Sequence, residues 1–362
     1  MVKKLLFILF WIISTVVFGQ SESRVQLEQE ITAADRMAFA NPDSALITLK
    51  KLEPKLDDDR LKSKFLLAKG SAYSVKHLSS DALRLGLAAL NNSEKSKDSL
   101  MMINSLGFIG NQYYILKLNK KAINYLNRAE TLIDYLNDNS LQQVTANIYF
   151  VKALIYKDNL DPEFAIRYFD KAINQYNKSK DKSSLLNINI TKMQKGYCLI
   201  EIGKSKEAEI VFSDVIRESE RNKIAEVYSY ARIGLAASLE GQKDFIKANH
   251  ILLETEKQIG KSQNIEMLTE IYDALSQNYL VQNNEERYFF YNQKLEKNLL
   301  KNEEIEKKSF SDLLDKNVEL QNLELKNNQR LFYFFVILIF LFTFGSLFYI
   351  KKRINQLKSV KA

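Results

Sequence analysis

The chain has 362 residues, 46% hydrophobic and 27% charged, with three prolines, eleven glycines and one cysteine. So few prolines and glycines suit helices joined by short turns and argue against a β-sandwich or barrel; one cysteine rules out an intrachain disulfide. The net charge of +8 points to nucleic acid until it is located. Lys3, Lys4, Lys351, Lys352, Arg353, Lys358 and Lys361 flank two apolar segments, leaving 45 basic against 44 acidic residues between positions 20 and 330. A nucleic-acid groove carries its charge on the folded region, so that partner is rejected.

The first element is Leu5–Phe18, fourteen apolar or small residues behind Lys3 and Lys4. With Val17-Phe18-Gly19 at its end, it predicts a secretory signal peptide over residues 1–19, cut after Gly19. A retained anchor is the alternative, although the run is short for a span.

From residue 20 to 297 a repeat governs the pattern. A small residue is followed twelve positions later by alanine in Ala33/Ala45, Gly70/Ala82, Gly110/Ala122, Ala153/Ala165, Gly196/Ala208 and Ala236/Ala248. Aligned on the small residue, with Ser276 opening a last unit, the intervals are 37, 40, 43, 43, 40 and 40 residues. Three positions later stand Tyr73, Tyr113, Tyr156 and Tyr279; sixteen later stand Leu49, Leu126, Phe169, Phe212 and Leu252. Small residues let two helices approach, aromatics fill the space beside them, and a hairpin that cannot bury its apolar face alone stacks on its neighbours. Pro42 and Pro162 fall where one helix must stop and the next begin. Gly86 is expected to weaken its helix.

This pattern resembles the tetratricopeptide repeat across roughly residues 25–297. The resemblance implies an all-α, right-handed α-solenoid of about seven hairpins. Every interval exceeds the family's length of about 34 residues, and the family's tryptophan and closing proline are absent. In such repeats the inner groove is lined by first-helix positions six and three before the small residue, and one and four after it. Here those are Asn104, Gly107, Asn111 and Tyr114; Asn147, Phe150, Leu154 and Lys157; Ile190, Met193, Tyr197 and Ile200. Asn104, Asn111, Tyr114, Asn147, Phe150, Lys157 and Tyr197 are the candidate groove residues: amides to pair with an extended backbone, rings to form apolar pockets. The competing reading is that some of them merely pack between units.

Residues 298–330 form a charged stretch without Gly or Pro, predicted as a stalk helix. A coiled-coil homodimer through it stays open, because Asn302, Ser309 and Lys316 break the heptad register. Leu331–Ile350 is twenty residues without a charge, enough at about 1.5 Å each to cross a hydrocarbon core of about 30 Å. Lys351-Lys352-Arg353 follows, so residues 351–362 are expected in the cytoplasm and the repeats outside it. The layout resembles the sensory half of bacterial membrane-anchored tetratricopeptide regulators without their kinase or DNA-binding output domain. That resemblance implies a periplasmic scaffold on the inner membrane, binding a protein or peptide; a receptor whose output is lost or separately encoded is the alternative.

No catalytic, cofactor or metal site is expected. His77 and His250 stand far apart with no Cys or His at ligand spacing, and no phosphate loop or nucleophile elbow occurs. Cys198 lies at an apolar helical position, and Asp57-Asp58-Asp59 reads as a solvated turn rather than a calcium loop.

Overall fold

A computed structural model describes residues 24–181, 183–259 and 264–359. The predicted signal segment and the last three residues of the predicted tail lie outside them. All elements among the described residues are helices, in two compact units that divide after Ile259.

The first unit begins with α1, residues 24–40. It continues with α2 (Pro42–Leu52), α3 (Asp59–Val75), α4 (Ser79–Ser96), α5 (Ser99–Ile115), α6 (Asn119–Leu136) and α7 (Gln142–Asp158). It closes with α8 (Pro162–Lys178), α9 (Ser184–Glu201), α10 (Ser205–Arg221), α11 (Ala225–Gly241) and α12 (Phe245–Ile259). From α3 onward each odd helix packs on the even helix after it and also on the next odd helix: α3 on α5, α5 on α7, α7 on α9 and α9 on α11. The odd helices therefore form a continuous layer, the physical outcome expected when single hairpins cannot bury their apolar faces.

The spacing of twelve is set by one turn geometry. Seven residues past the small position, the chain enters the left-handed region at His77, Lys117, Leu160, Gly203 and Lys243, with φ of 60°, 58°, 61°, 76° and 65°. The amide one residue on then donates back to the carbonyl at the aromatic position: Leu78 to Tyr73 at 3.0 Å, Leu118 to Tyr113 at 2.8 Å, Asp161 to Tyr156 at 3.1 Å. That bond closes the odd helix. Caps start the even or odd helices where the sequence offers them, as Asp98 does for Met101 N at 2.9 Å and Asp161 for Phe164 N at 3.1 Å, with Pro162 in the first turn of α8.

Gly70, Gly110, Ala153, Gly196 and Ala236 are all buried. A Cβ on Gly110 would lie 3.4 Å from the carbonyl of Ala122 and 2.6 Å from Leu126, so the two helices do meet at the small residue. Leu126, Phe169, Phe212 and Leu252, sixteen positions on, are fully buried. The first hairpin departs from the pattern. Ala33 is exposed, and the buried small residues of α1 are Ala34 and Ala38, the latter clustered with Ala45 and Ala72. The reason is the turn: α1 stays helical to residue 40 and only Asn41 precedes α2, so the twelve-residue offset does not apply. Gly86 also has a role the sequence hides. With Gly70 it forms a socket for Phe108 of the next hairpin; a Cβ would meet that ring at 2.8 Å from Gly86 and 2.9 Å from Gly70.

The second unit holds α13 (Ile265–Val281) packed on α14 (Glu285–Ser359). Ser276 is buried, and Tyr279 stacks on Tyr291 with centroids 5.7 Å apart, repeating the arrangement of Tyr113 on Tyr125. α14 is one helix of 75 residues. The sequence divides this stretch into a final repeat helix, stalk, apolar run and tail; the backbone makes no break between them. Within α14, Asn328–Gly345 is long and apolar enough to cross a membrane by length and composition, and Leu331–Phe342 present their side chains outward.

Candidate binding groove

The odd helices of the first unit enclose a cavity of about 640 Å³. Its walls are built from the columns that the repeat register defines. α3 supplies Lys64, Leu67, Ser71 and Ser74, the full set of four positions; α5 supplies Asn104, Gly107 and Asn111; α7 supplies Asn147 and Phe150; α9 supplies Ile190. The cavity thus crosses the layer diagonally, from the C-terminal half of α3 toward the N-terminal half of α9. α1 closes one end with Ile31, Thr32, Asp35 and Phe39.

Of the candidate groove residues, Asn104, Asn111, Asn147 and Phe150 are brought together here. Asn147 is held by Tyr176, whose hydroxyl donates to its Oδ1 at 2.7 Å. Tyr114, Lys157 and Tyr197 do not line the cavity. The Tyr114 hydroxyl is pushed up to about 12 by burial, with the charge of Asp158 adding to it, and Lys117 sits 5.3 Å over its ring while pairing with Asp158 at 3.2 Å. Lys157 donates to Gln194 at 2.7 Å and lies 6.0 Å from the Tyr197 ring. Tyr197 packs edge-on against Phe212 with centroids 5.2 Å apart. These three join one hairpin to another, which is the packing role the sequence left open for some of the set.

Other lining residues were not singled out from the sequence. Met101, Val144 and Asn187 stand nine positions before their small residues, one helical turn beyond the columns considered. Extending the same face by a turn finds them. Gln112 and Asp35 had no such signal: Gln112 sits beside a groove column rather than on it, and Asp35 belongs to the irregular first hairpin.

Asp58 and Cys198 have structural roles. Asp58 caps α3 through Leu61 N at 2.8 Å and pairs with Arg24 at 2.7 Å, so the acidic triplet marks a helix start. Cys198 is buried, and burial pushes its thiol up to about 11, the opposite of an activated nucleophile. Among the described residues no three His, Cys, Asp or Glu side chains converge on a metal-sized site.

No protein-family model matches the chain, and no curated protein matches it in sequence. Solved structures match its fold. The apo form of RapI aligns with a TM-score of 0.62 over 76% of this chain and 76% of that one, at 15% identity. The Rap conjugation gene regulator of plasmid pLS20, in complex with the Phr* peptide, aligns at 0.52 over 77% of each chain, at 16% identity. A signal-transduction ATPase with a tetratricopeptide repeat sensor, from Pyrococcus horikoshii, aligns at 0.51 over 65% of this chain and 37% of that one, at 14% identity. The fold is a tetratricopeptide-like solenoid. At these identities the likeness extends to the fold alone.

Proposed function

We propose that this chain is a membrane-anchored, extracytoplasmic scaffold that captures a peptide, or an extended segment of a protein, in the groove of its odd helices. One observation carries the reading: successive odd helices place Asn104, Asn111 and Asn147 along a single cavity, interleaved with apolar residues such as Phe108, Ile148 and Val151. Its volume falls within the range of about 300–1,000 Å³ of sites that engulf small ligands, and primary amides offer a donor and an acceptor each to an extended backbone. A peptide-bound regulator shares the fold, which supports the use of the odd-helix layer to hold a peptide. A photo-crosslinking residue placed at Asn104, Asn111 or Asn147 in native membranes is expected to capture one common species. The same residue at Tyr135, which is 84% exposed and not part of the cavity, is expected to miss it. Capture from Tyr135 alone would refute the groove.

The anchor is α14. Twenty uncharged residues followed by three cations fit a single crossing with the tail in the cytoplasm. Alkaline phosphatase joined at Asn328 should be active and the same fusion at Ala362 inactive; the reverse result would invert the topology. A receptor reading draws on the unbroken helix from Glu285 to Ser359, which could carry a displacement to a separate cytoplasmic partner. Removing residues 351–362 would abolish function for a receptor and spare a passive scaffold.

A further inference from the structure

Charge is scarce in the cavity wall and unevenly matched. Its charged lining residues are Asp35 and Lys64. Lys64 is already neutralised, its ammonium donating to Glu28 Oε1 at 2.9 Å. Asp35 is satisfied only in part: Ser71 hydrogen-bonds its carboxyl, but its buried Oδ1 accepts no hydrogen bond. Gln112 presents a second bare oxygen. Its side chain is fully buried, its Nε2 donates to Ser74 Oγ at 3.0 Å, and its Oε1 accepts nothing. Ser71, beside the Asp35 carboxyl, and Ser74 lie one turn apart on α3, so both oxygens belong to the same end of the cavity. The cavity-lining buried atoms left without a partner are acceptors in both cases. A ligand that suits this end must bring N–H donors and positive charge.

We propose that the end of the groove formed by α1, α3 and α5 is a subsite for a cationic group of a short extended peptide, an α-ammonium or a lysine or arginine side chain, held between Asp35 and Gln112. This rests on the peptide-groove reading above. The rest of the cavity suits the remainder of such a peptide, with Asn111 and Asn104 next along the wall and Phe108, Ile148 and Val151 as its apolar side. Burial raises the Asp35 carboxyl above its ordinary range, more than the Ser71 hydrogen bond and the charges of Lys64 and Arg36 lower it. An incoming cation relieves that penalty, so the same residue that destabilises the free protein would strengthen the complex.

The test uses the full chain in detergent and three pools of synthetic hexapeptides built from uncharged residues: free at the N-terminus, acetylated, and acetylated with one Arg or Lys. Bound peptide is measured by mass spectrometry after gel filtration. Retention of the free-amine pool assigns the site to an α-ammonium; retention of the Arg/Lys pool assigns it to a side chain. In either case Asp35→Asn should reduce retention about tenfold or more, equivalent to about 1.4 kcal/mol, while its melting temperature at pH 7 stays level or rises. Asn111→Ala should weaken every retained pool alike. If the acetylated uncharged pool binds as well as the others, or Asp35→Asn binds like the parent, the cationic subsite is refuted while the peptide groove survives. If no pool is retained, the groove reading fails and the subsite with it.

Discussion

At the residue scale the turns carry an unusual choice of side chains. Leu160 adopts φ 61° and is 89% exposed, whereas the matching position of the next hairpin is Gly203 at φ 76°. A Cβ in that region costs roughly 1 kcal/mol that glycine does not incur. Leu160→Gly should therefore raise stability by about 1 kcal/mol in a denaturant titration, and Gly203→Ala should lower it by a similar amount. Gly234 has the reverse constraint. A Cβ there would stand 2.1 Å from Cε1 of Phe212, a fully buried ring that also fills the space over Gly196. Gly234→Ala should cost about 1–3 kcal/mol by overpacking, and adding Phe212→Leu should recover part of that loss. Absence of any recovery would mean that the ring is not the obstacle.

At the scale of elements, ion pairs join hairpins that share little chain. Arg60 on α3 reaches both Glu28 of α1 at 2.9 Å and Asp98, the cap of α5, at 2.9 Å. The Arg60 hydrogen bond holds the Glu28 carboxyl at about 2, with Lys64 assisting and burial opposing. Because the folded value lies below the ordinary 4.5, this stabilisation is complete above that ordinary value and is lost as pH falls toward about 2. Melting temperatures followed over that acid window should fall more steeply for the parent than for Glu28→Gln, which starts lower at pH 7. Parallel curves would show that the pair contributes nothing, the outcome usual for exposed salt bridges.

At the scale of the molecule, the first unit is built as a line of hairpins that each touch their neighbours. Its N-terminal hairpin is held through Leu27, Ile31, Leu49 and Leu52 against Leu61 and Phe65 of α3, with no hairpin before it among the described residues. Phe65→Ala, costing about 3–5 kcal/mol locally, should erase hydrogen-exchange protection in α1 and α2 while α7 to α10 keep theirs. Uniform loss along the unit would instead mark a single cooperative block.

Much of this was written in local chemistry. A glycine or alanine opposite an alanine, an aromatic one turn later and a wide apolar residue beyond them recur in most hairpins, so the repetition exposed the helical array and most of its inner face. Asn104, Asn111, Asn147 and Phe150 could be named because they share a column with those packing residues. Tertiary structure decided what no single repeat contains. The short turn at Asn41 rotated the first hairpin out of register, so Ala33 faces solvent and Asp35 faces the cavity. The stacking of one hairpin on the next made the cavity run diagonally, leaving Tyr114, Lys157 and Tyr197 to join hairpins. Periodicity reports which face of a helix is buried; the angle at which successive faces meet depends on side chains such as Phe108 and Phe212 seated in another hairpin's glycines, and that is a property of the assembled layer.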